Sequence, residues 1–205
     1  RANVASEDLE IRGAGDLLGA RQSGQIHAIG YEAYARILGE AVAELRGEPI
    51  IHETDPEMVF DAPAFLPEDY VEDVGQRLDF YRRLSAAHEV EEVEDVMAEL
   101  ADRYGEPPLA ALHLGMWMQC KVHGRRLRAL ALELKGRTLS IRLGEETTLS
   151  SDVVIDAVRS AKGGMKLTGE RLRIRLPEVT GDDRHKQLRA GLKTLRDLVF
   201  RVVSG

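Results

Sequence analysis

The sequence has one cysteine and no long apolar run. Cys120 is alone among 205 residues, which excludes an internal disulfide and a zinc site built from cysteines. No stretch approaches the roughly 20 apolar residues of a membrane-spanning helix, and no signal peptide is recognisable. We therefore expect a cytoplasmic protein with no membrane partner. The chain begins at Arg1 rather than Met, and we expect either a processed chain or a segment of a longer protein.

The sequence also lacks a catalytic or metal-binding constellation. Its six histidines are scattered and none forms H-E-x-x-H or another close ligand pair. The run His52-Glu53-Thr54-Asp55 holds potential ligands, but it lies in a proline-rich stretch where polar residues are the default. Ser23 has Arg two residues before it, so G-x-S-x-G is absent. We predict no catalytic residue, metal site or cofactor in this chain, and no enzymatic activity of the chain by itself.

Acidic and basic residues are segregated along the chain. Residues 1–120 carry 9 Lys and Arg against 25 Asp and Glu, a balance of −16. Residues 121–205 carry 19 against 10, a balance of +9. This asymmetry predicts two surfaces of opposite charge, which face different partners or each other. Two solvated surfaces without a specific partner are the alternative.

A glycine-rich stretch near the N-terminus has the composition of a nucleotide-binding loop. Residues 8–24 read D-L-E-I-R-G-A-G-D-L-L-G-A-R-Q-S-G. Gly13, Gly15 and Gly19 give G-x-G-x-x-x-G, one residue longer than the dinucleotide fingerprint. The phosphate loop G-x-x-x-x-G-K-[ST] is absent from the chain. We therefore expect no cofactor loop here.

The first 68 residues divide into three predicted segments. Residues 1–30 have no clean period and form a loop. Residues 31–48 form an amphipathic connecting helix, because apolar residues recur at helical spacing before Gly47 and Pro49. Residues 49–68 form a proline-rich linker with one short strand at residues 58–60. The domain boundary is placed near residue 50, where this linker begins. Residues 69–205, after the linker, form the C-terminal domain.

Three helices are predicted at the start of that domain. The apolar positions that define them are Val74, Leu78, Tyr81 and Leu84 in residues 71–87, Val90, Val93, Met97 and Leu100 in residues 89–104, and Leu109, Leu112, Met116 and Cys120 in the third. The second helix carries seven carboxylates between Glu89 and Asp102, on the face opposite its valines. Phosphate would be repelled there, so this face is either solvated or the target of a basic partner.

After residue 124 apolar residues occur at every second position, which is the pattern of β-strands. One hairpin is predicted on Leu130, Leu132, Leu134, Leu139, Ile141 and Leu143, and a second about residues 168–170. Ser151 is the predicted cap of a helix between them, and residues 184–203 form a last helix. A helical first half followed by two β-hairpins interleaved with helices is an α+β fold.

A basic cluster at residues 121–128 reads K-V-H-G-R-R-L-R. Lys121, Arg125, Arg126 and Arg128 are therefore a candidate phosphate-binding patch. The favoured alternative is a helix end whose cations meet the negative end of the helix dipole. The cluster contains no aromatic residue on which the bases of a single strand could stack.

The glycine-rich stretch resembles the translocation motif that follows the last helicase motif in RecG and in the bacterial transcription-repair coupling factors (the Mfd family). Its continuation is similar to the C-terminal domain of the coupling factors. The matching segments are G-Y-E-A-Y at residues 30–34, F-L-P-E-D-Y-V at 65–71, R-L-D-F-Y-R-R-L at 77–84 and M-A-E-L-A-D-R-Y-G-E-P-P at 97–108. The chain is identified as the C-terminal part of a member of this family, and the tail of a RecG-like helicase is the alternative.

The resemblance implies what the residues alone do not supply. The whole protein would be a translocase on duplex DNA that uses ATP and Mg, displaces stalled RNA polymerase at lesions and recruits UvrA for nucleotide excision repair. Arg12 and Gln22 match the motif positions that couple ATP hydrolysis to movement. The motif glycines are Gly13, Gly15, Gly19 and Gly24. The ATPase site of the family would lie upstream, so this chain would hydrolyse no ATP.

For residues 69–205 the resemblance implies a regulatory role. This domain would dock on the UvrB-like N-terminal module of the same protein and mask its UvrA-binding surface, which is a form of autoinhibition. An accessory DNA-binding domain that uses residues 121–128 and the basic last helix is the alternative from another functional class.

Overall fold

Residues 55–178 and 183–204 are described by a computed structural model of the chain. They form an α+β fold, as the sequence predicts. Its elements in order are β1 (Glu57–Phe60), α1 (Val74–Ala86), α2 (Val90–Tyr104), α3 (Leu109–Arg126), β2 (Ala129–Lys135), β3 (Thr138–Leu143), α4 (Ser151–Ser160), β4 (Met165–Thr168), β5 (Arg171–Arg175) and α5 (Arg184–Ser204).

The five strands of the described region form one mixed sheet in the order β1-β2-β3-β5-β4. The two hairpins pair antiparallel within the sheet, and β3 pairs with β5 between them. β1 lies parallel to β2 at the sheet edge, with Met58 opposite Leu132. Residues 55–68 were predicted to be the end of a linker. They belong to the domain instead, because β1 is a strand of its sheet and Leu66 is buried in its core.

A bulge corrects one detail of the first hairpin. The pairing of β2 with β3 shifts register between Ala129 and Ala131. Because one extra residue reverses the alternation of faces, Leu130 is 42% exposed while Ala129 and Leu132 are buried. Leu130 was therefore wrongly predicted as a core position. The turn between β2 and β3 contains Gly136 at φ 53°.

The buried face of α3 also differs from the prediction. Leu109 is 57% exposed and Leu112 38% exposed, whereas Leu114, Trp117 and Met118 are buried. The helix contacts α1, α2, α5 and β2, so most of its circumference is covered. Apolar residues surround such a helix on nearly every side, and periodicity then cannot identify its one open face. The helix continues to Arg126, six residues beyond Cys120, the last apolar position used to predict it.

Capping side chains set the starts of two helices. Asp73 accepts a hydrogen bond from the backbone N–H of Gln76, and α1 begins at Val74 rather than at residue 71. Ser150 accepts from the N–H of Val153 and caps α4. The predicted cap, Ser151, is instead the first residue of that helix.

Helices α3 and α5 cover one face of the sheet. Gly124 of α3 lies close to Leu132, and Gly191 of α5 lies near Leu134 and Leu139. The core between the helices and the sheet contains Phe80, Leu100, Leu114, Leu132, Ile141, Leu172, Leu188 and Leu195. Among the described residues no helix is long and apolar enough to cross a membrane.

Candidate docking surfaces

The predicted translocation motif lies outside the described residues. Arg12 and Gln22 both precede residue 55, and so do the motif glycines Gly13, Gly15, Gly19 and Gly24. Their roles therefore stay predictions. The described region contains the basic cluster, the acidic second helix and the sheet.

The basic cluster is largely engaged within the fold. Lys121 lies 2.9 Å from Asp55, and Arg125 pairs with the same carboxylate. Arg125 also donates to the carbonyl oxygen of Ser85 at 2.8 Å and to that of Ala87, where α1 ends. Carbonyls at a helix C-terminus lack intrahelical partners, so this guanidinium satisfies the end of α1 while it ties Asp55 to α3.

The other two cations of the cluster point to different partners. Arg126 pairs with Glu89 at the start of α2, and Arg128 lies 3.8 Å from Glu146 beyond β3. Lys121 is only 9% exposed, whereas the Arg128 side chain is 61% exposed. The four residues therefore do not form one open surface, and three of them hold the α1, α2 and α3 segments together.

The charge of Asp55 is stabilised by this arrangement. Burial raises the pKa of its carboxyl, but hydrogen bonds from Arg125 and Lys121 outweigh that effect and hold the pKa below its usual value. Asp55 therefore stays ionised through the neutral range. Its contact with Arg125 joins residues 70 positions apart in the chain.

The acidic face of α2 is organised by a capping box at its start. The Glu92 carboxylate accepts from the backbone N–H groups of His88 and Glu89, at 2.7 and 3.2 Å. These two hydrogen bonds lower the pKa of Glu92. At the middle of the helix, Glu99 pairs with Arg83 at 2.6 Å and Arg103 at 2.9 Å, which lowers the pKa of Glu99.

Four other carboxylates of α2 remain open to solvent. Glu91, Glu94, Asp95 and Asp102 are exposed, and none lies within ion-pair distance of a cation of the described region. Glu91, Asp95 and Asp102 follow one another at four and seven residues, so they lie on one side of the helix. We call these four residues the acidic stripe. The opposite side of α2 buries Val93, Val96 and Leu100, which fixes the direction of the stripe.

The buried histidines and Cys120 form no candidate catalytic group. His113 donates from Nδ1 to the carbonyl oxygen of Pro63 at 2.9 Å, and its ring stacks on His185 at 5.6 Å. Burial, together with the nearby charges of Arg126 and Arg196, lowers the pKa of His123 to about 4. Burial raises the pKa of Cys120, so it is an inert core thiol. Within the described ranges no group of His, Cys, Asp and Glu could hold a metal ion.

A second basic surface was not singled out from the sequence. β5 reads R-L-R-I-R, and Leu172 and Ile174 are buried while Arg171, Arg173 and Arg175 are exposed. The alternation that predicts the hairpin also places the three arginines on its outer face. This alternation is visible in the sequence, but the cations can be recognised as one surface only when the strands next to β5 are known.

Comparison with known proteins gives the family. The model of the TRCF domain matches residues 60–154. The transcription-repair-coupling factor of Myxococcus xanthus is 43% identical over 198 residues, which cover 96% of this chain and 16% of that protein. The transcription-repair-coupling factor of Bacillus subtilis (strain 168) is 32% identical over 150 residues, 73% of this chain and 13% of that protein.

A solved structure supports the fold. The crystal structure of the C-terminal domain of a transcription-repair coupling factor superposes with a TM-score of 0.58 at 16% identity. It covers 72% of this chain and 93% of that one. The chain therefore spans a small part of its full-length relatives, and the part described here has the fold of such a C-terminal domain. Because 96% of this chain aligns with the Myxococcus protein at 43% identity, the chain belongs to the transcription-repair-coupling factor family.

Proposed function

We propose that residues 55–204 are a regulatory docking domain that binds the UvrB-like N-terminal module of the same coupling factor and masks the UvrA-binding surface. The whole protein is then an ATP- and Mg-dependent translocase on duplex DNA that displaces stalled RNA polymerase and recruits excision repair. Residues 1–30, with Arg12 and Gln22, couple ATP hydrolysis to its movement. Support for this assignment comes from family membership and from the motifs of the sequence.

The acidic stripe is the observation that carries the docking proposal. Its four carboxylates are exposed and unpaired within the described region, while neighbouring Glu89, Glu92 and Glu99 are engaged in the fold. The stripe is presented on a helix that is capped at its start and packed on α3. A rigid, one-signed surface of this kind favours a basic partner and a reversible, polar interface. It would repel nucleic acid.

The test is a calorimetric titration of the 205-residue chain into the UvrB-like module. We expect binding by the unaltered chain and at least about tenfold weaker binding by the variant Glu91→Lys/Glu94→Lys/Asp95→Lys, because like charges would then face each other. The matched control is Glu145→Lys/Glu146→Lys/Glu170→Lys, which makes the same change in net charge at exposed positions away from α2. Equal losses in the two variants, or none in either, would refute docking through the stripe.

The accessory DNA-binding domain remains the competing function. Its predicted patch is weakened by the pairing of Lys121 and Arg125 with Asp55 and of Arg126 with Glu89. A phosphate would have to displace these partners before it could bind there. A duplex titrated in parallel separates the two functions, since affinity through phosphate contacts falls steeply with salt.

A further inference from the structure

The face of the sheet that points away from α3 and α5 is polar and carries a group of cations. Lys166 on β4 is directly opposite Arg173 on β5, which is opposite Ser140 on β3. Arg175 is likewise opposite Thr138. Directly opposite residues of an antiparallel pair project to the same side of a sheet, so these side chains share the outer face.

Three of these cations form no ion pair within the described region. Lys166, Arg173 and Arg175 are exposed, and within the described region no carboxylate lies at ion-pair distance from any of them. Their neighbours Arg142 and Arg171 face Glu57 at 3.6 Å and Glu133 at 3.5 Å, respectively. We call Lys166, Arg173 and Arg175 the sheet cations.

The sheet cations border a groove of about 480 Å³, which is also lined by Thr138, by the Gly163-Gly164 turn and by Arg137, whose guanidinium lies 3.4 Å from Glu178. Gly163 has φ 88°, a conformation that favours glycine. A Cβ built at Gly163 would have no atom within 4 Å. One wall of the groove is therefore bare backbone, which an anion can approach closely.

We propose that the sheet cations bind the phosphate backbone of duplex nucleic acid. Phosphate contacts need cations and hydroxyl groups in an open arrangement, which this face supplies with Lys166, Arg173, Arg175 and Thr138. The site is distinct from the basic cluster at the end of α3 and from the acidic stripe. The proposal does not rest on docking to the UvrB-like module.

The composition of the outer face argues against other occupants. Protein interfaces obtain most of their affinity from buried aromatic and large apolar anchors. The large apolar side chains of this face are Val59 on β1 and Leu130 at the bulge of β2, and the other uncharged positions are Ala131, Thr138, Ser140 and Thr168. Single strands bind through bases stacked on aromatic side chains, and the strands carry no aromatic residue on this face.

The rest of the chain does not cancel the local field at ordinary salt. The chain carries −7 overall, but the acidic stripe lies on α2, which contacts α3, and α3 in turn contacts the sheet from its other face. Charges more than about 10 Å apart are largely screened at 0.1 M ionic strength. The sheet cations therefore act as a local patch on a chain of opposite net charge.

The experiment measures fluorescence anisotropy of a labelled duplex of mixed sequence, titrated with the 205-residue chain at a series of salt concentrations. A single strand of the same length and poly-glutamate are parallel titrants. The test variant is Lys166→Gln/Arg173→Gln/Arg175→Gln. The matched control is Arg189→Gln/Lys193→Gln/Arg196→Gln, which removes three charges from the outer side of α5. Far-UV circular dichroism and Trp117 fluorescence establish that each variant is folded.

We expect the unaltered chain to bind the duplex, with an affinity that falls as salt is added. In the test variant the slope of log K against log salt should be less steep by about 3, because each lost phosphate contact removes roughly 0.9. The α5 variant keeps the original slope. Absence of duplex binding, an unchanged slope in the test variant, or an equal loss in the α5 variant overturns the site. Tighter binding of poly-glutamate assigns the surface to an acidic protein partner instead, and tighter binding of the single strand overturns the choice of a duplex.

Discussion

The contact between α3 and β2 can be tested by adding one methyl group. Gly124 lies inside α3, and a Cβ at this position would be 2.8 Å from Leu132 Cδ1 and 3.0 Å from Pro56 Cγ. Leu132 is fully buried on β2, and the Pro56 ring is rigid and buried. Neither neighbour can move away without disturbing the core or the start of β1.

The expected magnitude follows from two opposing effects. Replacing glycine by alanine inside a helix stabilises the protein by about 1 kcal/mol. Overpacking a close-packed core costs about 1–3 kcal/mol. We therefore expect Gly124→Ala to lower the free energy of unfolding by about 1 kcal/mol, despite the better helix propensity of alanine.

Gly191 of α5 is the matched control for this substitution. Its added Cβ would lie 3.8 Å from Leu134 and Leu176, which is ordinary van der Waals contact. Gly191→Ala should therefore stabilise the domain by about 1 kcal/mol, so that the two variants differ by about 2 kcal/mol.

The assay is urea unfolding of the 205-residue chain followed by the fluorescence of Trp117, the single tryptophan, which is 3% exposed in α3. Unchanged m-values allow the midpoints to be compared directly. If Gly124→Ala stabilises as much as Gly191→Ala, the close approach of α3 to β2 is wrong. Combining Gly124→Ala with Leu132→Ala checks the cause, because removal of the Leu132 side chain should relieve the overpacking and make the pair non-additive.

Two further predictions concern a helix cap and a buried histidine. Ser150→Ala should lower the free energy of unfolding by about 1 kcal/mol, because the hydrogen bond from the Val153 N–H is lost. Ser151→Ala should change it by less than about 0.5 kcal/mol. Equal effects of the two substitutions in urea titrations would contradict the cap assignment. The pKa of His123 is lowered to about 4 in the folded chain, whereas a histidine of the unfolded chain titrates near 6.5. Between these values the unfolded chain binds more protons. The free energy of unfolding should therefore fall as pH drops from about 6.5 to 4, by up to about 3 kcal/mol. His123→Gln should flatten this part of the stability profile, and a profile unchanged by the substitution would show that another group is responsible.

Local patterns were sufficient for the elements that depend on near neighbours. Alternation over residues 130–143 and 165–176 predicts both hairpins, and Gly136 and Gly169 mark their turns with φ values of 53° and 57°. The helices after residue 70 follow from the spacing of their apolar residues. Their ends were off by a few residues, because capping by Asp73 or Ser150 depends on which of several candidate side chains reaches the free N–H groups.

Contacts between distant residues could not be predicted in the same way. A short strand at residues 58–60 was predicted, but nothing local to these residues indicates that it pairs parallel to β2. The pairing of Asp55 with Arg125 depends on where α3 ends relative to β1. The exposure of Leu109 and Leu112 is likewise determined by which elements surround α3. The two candidate surfaces differ in this respect. The acidic stripe could be predicted from helical spacing, whereas the sheet cations are recognised as one surface only when the strand order is known.

The charge segregation along the chain becomes a segregation in space for a simple reason. The acidic half supplies α2, the basic half supplies most of the sheet and α5, and α3 lies between the two. A basic partner on the acidic stripe and a phosphate backbone on the sheet cations would therefore bind on opposite sides of α3. Their binding free energies should be nearly additive, because the interacting charges are far apart and screened. Strong coupling between the two ligands would instead require the core around α3 to change its packing, which Trp117 fluorescence would report.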